Sequence, residues 1–590
     1  MQLGVDINLS LGSSVLVKCA NAKNWGLLVF LLENGAILTS IDNDIRSQNV
    51  HKNILSLAIN DSQWDIVKTL LKYKANVSTD MLIQLINIKQ TELVQVILSN
   101  PNYTFSDAQL EKLLPKAVEE GQVELVSAII ERAHFAIDKK LDGRTLLHYA
   151  CKVNPNVEMV RWLLAHGSPV DSLSAENTTP IYVALMNLGS TSEINEDICN
   201  LLLERGANLN TVIDNQSLVM RMTSTDYYLR ELNWLIRNKA DLNYKNAEGE
   251  SAILMAAQKQ SLECLGALIA SGAHVHDKDN VNNSILHILA GEGVGRRHGP
   301  DFQNYKNRII QTIVEKGLDA NVKNGEGETA ILVAARNRFY DTVIQLLISN
   351  ADPNIKSKDG VSIFTLLFGD GKFMSIDALP VIQTLLNKGY SPNDAEKLSI
   401  LTVMFDFADL AEIQKTMTAW NISPNQINAE GNTPLHIATR MKRKEVVEWL
   451  VKQGADVNSQ NTNGYSPIMV TFDLAILDIL FENGADINFI GKNGDTALTV
   501  EASRQREEKL KWLLSHGAAV DQKDGEGFSA LHHAFKSRNS IQNAIHLLSC
   551  NASINSSNAM GETILMTALD SPEWFELAMK SNPDLSKQNN

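Results

Sequence analysis

The stretch GNTPLHIATRMKRKEVVEWLVKQGADVN, residues 431–458, contains the pattern that decides the fold. Thr433 can cap a helix with its hydroxyl, and Pro434 fits the first helical turn, because its missing N–H would have no helical partner there. The apolar residues at 446, 447, 450 and 451 form the buried face of a second helix. Gly454 can adopt the left-handed conformation that ends this helix. The stretch therefore predicts two helices joined by a turn.

The same pattern recurs along the chain as G-x-T/S-x-L-x-x-A, a polar break, an apolar LL pair and G-A-x-x-N/D. It is present in the segments that begin at Gly249, Gly494 and Gly527. The distance from Gly431 to Gly464 is 33 residues, as is the distance from Gly494 to Gly527. Recurrence at a fixed period indicates stacked repeats, since one unit cannot bury its apolar face alone.

The TPLH at 433–436 and the GADVN at 454–458 resemble the ankyrin repeat. The resemblance covers essentially the whole chain, as about seventeen units, and implies an all-α solenoid of stacked helix-turn-helix units with extended β-turn loops. Three weaker units begin near Ser78, Leu110 and Lys397. The clearer units begin near Gly12, His51, Gly143, Asn177, Asn215, Gly249, Asn282, Gly327, Gly360, Gly431, Gly464, Gly494, Gly527 and Gly561.

The regularity of the array suggests soft boundaries rather than independent domains. We expect partly degenerate N-terminal repeats at 1–140, central repeats at 141–394 and C-terminal repeats at 395–590, in one continuous array. Insertions at 186–199, 291–307 and 368–380 lengthen the connections between helices of the central repeats, and the repeat from Gly464 is three residues short. The insertion 291–307 contains Arg296, Arg297 and His298 beside glycines. It predicts a protein-contact loop rather than a phosphate-binding loop, because phosphate-binding glycines follow a strand and these follow a helix.

Histidine recurs at the fourth position of the TPLH-like stretches, as His148, His287, His436 and His532. The resemblance implies that each makes a hydrogen bond that ties its turn to an adjoining repeat. Catalysis or metal binding is the alternative, and the repeat-locked placement favours the structural role. The HVHDKD at 274–279 lies on an exit turn, where solvated side chains are favoured over a metal site.

Composition excludes several functional classes. The formal charge of −15 gives no general attraction to nucleic acid or anionic membranes. No apolar run reaches the ~20 residues that a bilayer-spanning helix needs, and the N-terminus does not read as a signal peptide. The five cysteines are far apart and predict thiols in a reducing compartment. No hydrolase, metalloprotease, P-loop or kinase motif is present, so we expect neither enzymatic activity nor a cofactor.

The resemblance implies a concave surface, formed by the loop tips and first helices, that binds protein partners. Phe528 is predicted to be the most useful contact, as an exposed aromatic side chain of the kind that dominates interfaces. The basic RMKRK at 440–444 is interpreted as a solvated structural face, favoured over a contact patch for an acidic partner. The candidate partner-binding residues are Glu326, Glu328, Arg336, Asn337, Glu430, Asn432, Arg440, Met441, Glu526, Phe528 and Lys536.

These observations predict a non-catalytic interaction scaffold or adaptor that is monomeric and binds proteins rather than nucleic acid. Its predicted location is the cytoplasm, either of its own cell or of a eukaryotic host into which a bacterium delivers it as an effector. The alternative is a targeting or regulatory segment of a larger enzyme or membrane-recruited protein. Both chain ends stop inside the repeat pattern, which leads us to expect a longer polypeptide.

Overall fold

The computed structural model describes residues 15–38, 53–152, 156–186, 196–291, 300–369 and 378–585. The chain forms two compact blocks, an N-terminal block of residues 1–280 and a C-terminal block of residues 281–590. Within the described residues both blocks are helical, except for one two-stranded hairpin. The predicted all-α helix-turn-helix architecture is therefore confirmed, and the boundaries near 140 and 395 stay predictions.

The N-terminal block begins with α1 and ends with α17. Its hairpin pairs β1 with β2 in antiparallel fashion, with Val212 opposite Ser217 and Ile213 opposite Gln216. The elements are α1 (Val15–Asn21), α2 (Trp25–Glu33), α3 (Ile54–Asn60), α4 (Trp64–Lys72), α5 (Thr79–Asn87), α6 (Thr91–Ser99), α7 (Asp107–Glu111), α8 (Leu114–Glu119), α9 (Val123–Ala133), α10 (Leu146–Ala150), α11 (Val157–Ala165), α12 (Pro180–Leu185), α13 (Glu196–Glu204), β1 (Val212–Ile213), β2 (Gln216–Ser217), α14 (Leu218–Met222), a 3-10 turn (Asp226–Tyr228), α15 (Leu229–Arg237), α16 (Ala252–Gln258) and α17 (Leu262–Ala270).

The C-terminal block begins with α18 and ends with α35. Its elements are α18 (Ile285–Gly291), α19 (Pro300–Glu315), α20 (Ala330–Arg336), α21 (Tyr340–Ile348), α22 (Ile363–Phe368), α23 (Ala378–Asn387), α24 (Asp394–Phe407), α25 (Leu410–Ala419), α26 (Pro434–Arg440), α27 (Lys444–Lys452), α28 (Pro467–Val470), α29 (Leu474–Glu482), α30 (Ala497–Ala502), α31 (Glu507–Ser515), α32 (Ala530–Ser537), α33 (Ile541–Ser549), α34 (Ile564–Ala568) and α35 (Pro572–Lys580).

The repeat from Gly431 shows how each unit is built. The hydroxyl of Thr433 accepts a hydrogen bond from the His436 N–H, and Pro434 opens α26, as predicted. Gly454 has φ of +81° just after α27, which confirms its left-handed conformation. The apolar faces of α26 and α27 are buried against each other and against α28 and α29 of the following repeat. Each repeat thus contributes a first helix and a second helix to two packed layers.

Successive loops are joined by backbone hydrogen bonds across repeats. The N–H of Thr462 donates to the carbonyl oxygen of Glu430 (3.0 Å), and the N–H of Gly525 donates to that of Asn493 (2.7 Å). The loops pass so close that a Cβ atom on Gly494 would lie 2.2 Å from the Gly525 nitrogen. At Gly431, Gly464, Gly494 and Gly527 the next loop thus occupies the space that a side chain would need.

Asparagine side chains make a second link between repeats. The Oδ1 of Asn458 accepts from the Asp486 N–H (2.8 Å), and its Nδ2 donates to the Gly484 carbonyl (3.0 Å). Asn425 makes the same two bonds to the next repeat, at 2.7 and 3.1 Å. These bonds satisfy polar groups at the end of the second helix and account for the Asn or Asp in the recurring G-A-x-x-N/D.

The four repeat-locked histidines are buried inside the stack. The Nδ1 of His436 accepts from the Thr433 N–H (3.2 Å), which leaves the Nε2–H to donate to the Tyr465 carbonyl of the next repeat (2.9 Å). His148 and His287 reach the carbonyls of Thr178 and Glu328 in the same way, so the predicted tie between repeats is confirmed for these three. Burial lowers the pKa of His532 to about 4, so this imidazole is neutral at physiological pH.

Side chains from the second helices satisfy carbonyls at the ends of neighbouring first helices. The guanidinium of Arg443 donates to the carbonyls of Phe405 (2.6 Å) and Ala408 (2.8 Å) in the preceding repeat. The ammonium of Lys509 donates to the Met469 carbonyl (3.2 Å) at the end of the four-residue α28. These last carbonyls of a helix have no partner within the helix. Arg443 is therefore part of the repeat framework.

Lys509 is completely enclosed and is balanced by Glu501, with Nζ 3.5 Å from Oε2. Burial lowers the pKa of Lys509 to about 8, because water no longer stabilises the ammonium ion. A buried pair of this kind gives little net stability, but removal of one partner leaves an uncompensated charge.

The low pKa of His532 predicts that acid destabilises the C-terminal block. The unfolded chain binds a proton at the ordinary histidine pKa of 6.5 and the folded chain only near 4, so the contribution to stability is complete above about pH 6.5 and is lost as the pH falls towards 4. For this site we expect the free energy of unfolding to fall by about 2 kcal/mol between pH 7.5 and pH 5. Urea titrations should show a smaller acid loss for His532→Gln than for the wild type. His516→Gln is the control, and an acid loss reduced equally in both variants would contradict the assignment.

Because Lys509 and Glu501 form a buried ion pair, the effects of substituting them on the free energy of unfolding should not be additive. Lys509→Met should lower the free energy of unfolding by about 3 kcal/mol, because Glu501 is then buried without its main counter-charge. The double variant Lys509→Met/Glu501→Gln should lose less than Lys509→Met alone, measured in the same urea titrations. A double variant that loses the sum of the two single effects would show that the charges are not coupled.

Candidate functional site

The candidate partner-binding residues belong to the first helices, the ends of these helices and the loops that precede them, and eight of the eleven contribute to the surface of these elements. We call it the first-helix surface. In the repeat from Gly327, Glu326, Arg336 and Asn337 are exposed. Glu328 is only 6% exposed and forms an ion pair with Arg336, so its expected exposure is wrong. Glu328 is buried between repeats, where its carbonyl oxygen accepts a hydrogen bond from His287 and its carboxylate pairs with Arg336.

Phe528, the predicted exposed hot spot, is 2% exposed, and that expectation is wrong. Its ring packs against the imidazoles of His532 and His533, with centroids 5.8 and 5.6 Å apart. The Lys536 ammonium lies 4.3 Å from the ring centroid and covers it. Glu526 and Lys536 are exposed as expected. The side chain that follows the loop glycine is therefore buried in the repeat, and the side chain eight residues later covers it.

In the repeat from Gly431 the same two positions hold Asn432 and Arg440. Asn432 is 6% exposed, again against expectation. Its Nδ2 donates a hydrogen bond to Glu430 Oε2, and its Oδ1 accepts one from Asn461 Nδ2 (both 3.0 Å). Glu430 and Arg440 are exposed and Met441 is half-buried. The residue eight positions before Arg336 is the carboxylate Glu328, and the residue eight positions before Lys536 is the aromatic Phe528. The corresponding residue before Arg440 is a neutral amide. The Arg440 side chain makes no hydrogen bond or ion pair with any residue that the structure describes.

A cavity of about 460 Å³ opens beside Arg440 and spans three consecutive repeats. It exists because α28 has only four residues, whereas α26 has seven and α30 has six. The missing turn brings the end of α26 and the segment after α30 to the edges of one cavity. Its lining residues are Glu430, Asn432, His436, Arg440, Asn461, Thr462, Asn463, Tyr465, Met469, Val470 and Arg504.

Phe472 follows the short helix α28 and extends this region. Its side chain is 38% exposed and lies between two cations from the flanking repeats. The Lys442 ammonium is 4.2 Å from the ring centroid, and the Arg506 guanidinium carbon is 4.1 Å from it. We call the cavity and this aromatic extension the basic cleft, defined by Arg440, Lys442, Phe472, Arg504 and Arg506.

The basic RMKRK divides between framework and surface. Arg443 binds carbonyls of the preceding repeat, and Lys444 lies on α27 with its Nζ 3.9 Å from Glu448. Only Arg440 and Lys442 belong to the basic cleft. The basic residues of this stretch therefore do not form one solvated face. Two belong to the basic cleft, one binds backbone carbonyls of the preceding repeat, and one lies on the second helix.

Three residues of the basic cleft were not predicted from the sequence. Arg504, Arg506 and Phe472 were not candidates, because each is unremarkable within its own repeat. The available signal was the three-residue shortening of the repeat from Gly464, which removes the helical turn between them. The insertion-loop candidates Arg296, Arg297 and His298 lie outside the described residues.

Other candidate chemistry receives no support from the described part of the chain. In the HVHDKD segment, Asp277 binds the Lys245 ammonium (2.8 Å). Among the described residues, no group of three His, Cys, Asp or Glu side chains is arranged to hold a metal ion. The five cysteines are free thiols, four of them buried. No helix in the described ranges is long and apolar enough to span a bilayer.

Comparison with known proteins identifies the repeats. The family of ankyrin repeats in three copies matches residues 114–213 and 468–558, and the single ankyrin repeat matches 326–358 and 430–462. An E3 ubiquitin-protein ligase, KEG, of Arabidopsis thaliana is 21% identical over 55% of this chain and 20% of its own length. The putative ankyrin repeat protein L371 of Acanthamoeba polyphaga mimivirus is 22% identical over 58% of this chain and 48% of its own.

A third relative, the putative ankyrin repeat protein FPV031 of fowlpox virus, is 32% identical over 24% of this chain and 42% of its own length. The chain therefore spans less than half the length of each of these relatives. The matched residues fall in both blocks and coincide with the helix pairs, hairpin loops and inter-repeat hydrogen bonds described above. This chain belongs to the ankyrin-repeat proteins.

Proposed function

We propose that the chain is a non-catalytic scaffold that binds partner proteins on the first-helix surface. The observation that carries this proposal is the 460 Å³ cavity on that surface, which spans three repeats and has exposed charged side chains at its edges. Ankyrin repeats are a protein-interaction architecture, which supports this proposal.

The framework supports binding because it fixes the positions of the surface residues before a partner arrives. Loop-to-loop backbone bonds, the asparagine links and the histidine ties hold each first helix in register with the next. A preformed surface loses little conformational entropy when it binds, so its contacts contribute more fully to affinity. Side chains such as Glu326, Arg440 and Glu526 can then vary between repeats without changing the fold.

A second candidate is a targeting or regulatory segment of a larger enzyme or membrane-recruited protein. The Arabidopsis relative favours it, because that protein is an E3 ubiquitin-protein ligase and the alignment covers 20% of its length. Both candidates use the repeats as a binding surface and differ in what the rest of the polypeptide does. A cytoplasmic location, delivery as an effector and a monomeric state remain predictions.

Panning a phage-displayed random peptide library against the purified chain tests the location of the binding surface. Selected peptides should lose at least roughly tenfold in affinity on one or more of Glu326→Lys, Arg440→Glu and Glu526→Lys, because these reverse exposed charges on the first-helix surface. The matched controls are Lys452→Glu and Glu482→Lys on second helices, where we expect less than a roughly twofold change. Binders that respond only to the second-helix substitutions would contradict the proposal.

A further inference from the structure

We propose that the basic cleft binds an acidic peptide segment of the partner protein, with Arg440 and Arg504 each receiving a carboxylate. This inference rests on the proposed function and deepens it, because it names the chemistry of the partner at one site. Four cations from two repeats converge on the cleft, in a chain with 53 basic and 68 acidic residues.

The charge of Arg440 is available because the residue eight positions earlier, Asn432, is a neutral amide. In the equivalent pairs, the chain neutralises Arg336 with Glu328 and covers Phe528 with Lys536. Asn432 has already used its amide for Glu430 and Asn461. An exposed guanidinium without a counter-charge can form a bidentate pair with a carboxylate, which is the stronger kind of hydrogen-bonded contact.

Arg504 is only weakly neutralised within the chain. Its Nη1 is 3.8 Å from Glu501 Oε2, and that buried carboxylate also balances Lys509 at 3.5 Å. The Arg504 side chain keeps 40% of its surface exposed at the cavity edge. A partner carboxylate would therefore meet a cation whose field the chain has not cancelled.

The floor of the cleft fits the rest of a peptide. Val470 is half-buried, and the Phe472 ring presents apolar surface between Lys442 and Arg506. Thr462 is fixed by two hydrogen bonds to the Glu430 carbonyl, from its N–H (3.0 Å) and its hydroxyl (2.9 Å). A cavity of about 460 Å³ is within the range of preformed ligand sites. An apolar side chain between two acidic residues matches this arrangement.

Charge favours a peptide over a nucleic acid as the occupant. A peptide of a few residues meets only the local cations, whereas a nucleic acid extends its phosphates beyond the cleft along a chain whose formal charge is −15. Glu430 is the acidic side chain among the lining residues, and its carboxylate accepts a hydrogen bond from the Asn432 amide (3.0 Å).

Fluorescence anisotropy with two synthetic peptides tests the proposal. The full chain is titrated into fluorescein-labelled GEELEEG and into its amide counterpart GQQLQQG. We expect the acidic peptide to bind with a Kd below about 1 mM, the amide peptide to bind at least roughly tenfold more weakly, and the affinity for the acidic peptide to fall with added salt.

The cleft variant Arg440→Gln/Arg504→Gln should weaken binding of the acidic peptide by at least roughly tenfold. The control Lys452→Gln/Lys511→Gln removes the same charge from second helices and should bind as the wild type does. If the cleft variant does not fold, Arg440→Gln alone provides the comparison, since the Arg440 side chain bonds to no described residue.

Equal binding of the acidic peptide to the cleft and control variants would overturn the proposal, as would an absence of binding at about 1 mM chain. Tighter binding of inorganic phosphate than of the peptide at the cleft, measured by competition, would also overturn it in favour of a phosphate ligand. In either event, library peptides that still depend on Glu326 or Glu526 would leave the proposed function intact.

Discussion

The constraint on which the C-terminal repeats depend is the close approach of the loops at Gly431, Gly464, Gly494 and Gly527 to the loop of the next repeat. The backbone N–H of one loop donates to a carbonyl of the previous one, at 2.7 Å between Gly525 and Asn493. This contact requires glycine at Gly494, because a Cβ atom would lie 2.2 Å from the Gly525 nitrogen. Once the loops are fixed, each histidine or asparagine side chain can reach only one set of backbone partners in the next repeat. Neighbouring first helices are thereby held in a single register. The stability of such an array comes largely from these nearest-neighbour contacts, since no repeat buries its apolar face alone.

The basic cleft follows from this constraint. The repeat from Gly464 has a first helix of only four residues, but it stays bonded to both neighbours. Its loop is bonded to Glu430 of the preceding repeat, and Asn488 is bonded to Gly517 and Ala519 of the following one. The missing turn becomes a cavity, edged by cations of the flanking repeats. The buried carbonyl of Met469, which has no partner within the short helix, accepts a hydrogen bond from Lys509, and the Lys509 ammonium is balanced by Glu501. The short helix α28 therefore lies beside both a buried ion pair and a surface cavity.

The repeat architecture was predictable from sequence because its signals are local. Thr433, Pro434 and Gly454 act within their own repeat, and their predicted positions are confirmed. The exposure of Phe528, Glu328 and Asn432 was not predictable in this way, because it depends on the side chain eight residues later and on the next loop. Arg504 and Phe472 join the cleft only through the stacking of three repeats. A 33-residue frame specifies which residues form helices but not which side chains from different repeats meet.

The claim that loop-to-loop contacts hold the array is tested most directly by a pair of glycine substitutions. Gly494 and Gly517 both have positive φ, at +82° and +92°, but only Gly494 lies against the next loop, and a Cβ atom on Gly517 would have no atom within 4 Å. Both alanine variants have the cost of a left-handed conformation, about 1–2 kcal/mol. The account predicts that urea unfolding of Gly494→Ala loses at least about 1–3 kcal/mol more than that of Gly517→Ala, because the loops must separate. Equal losses in the two variants would contradict it.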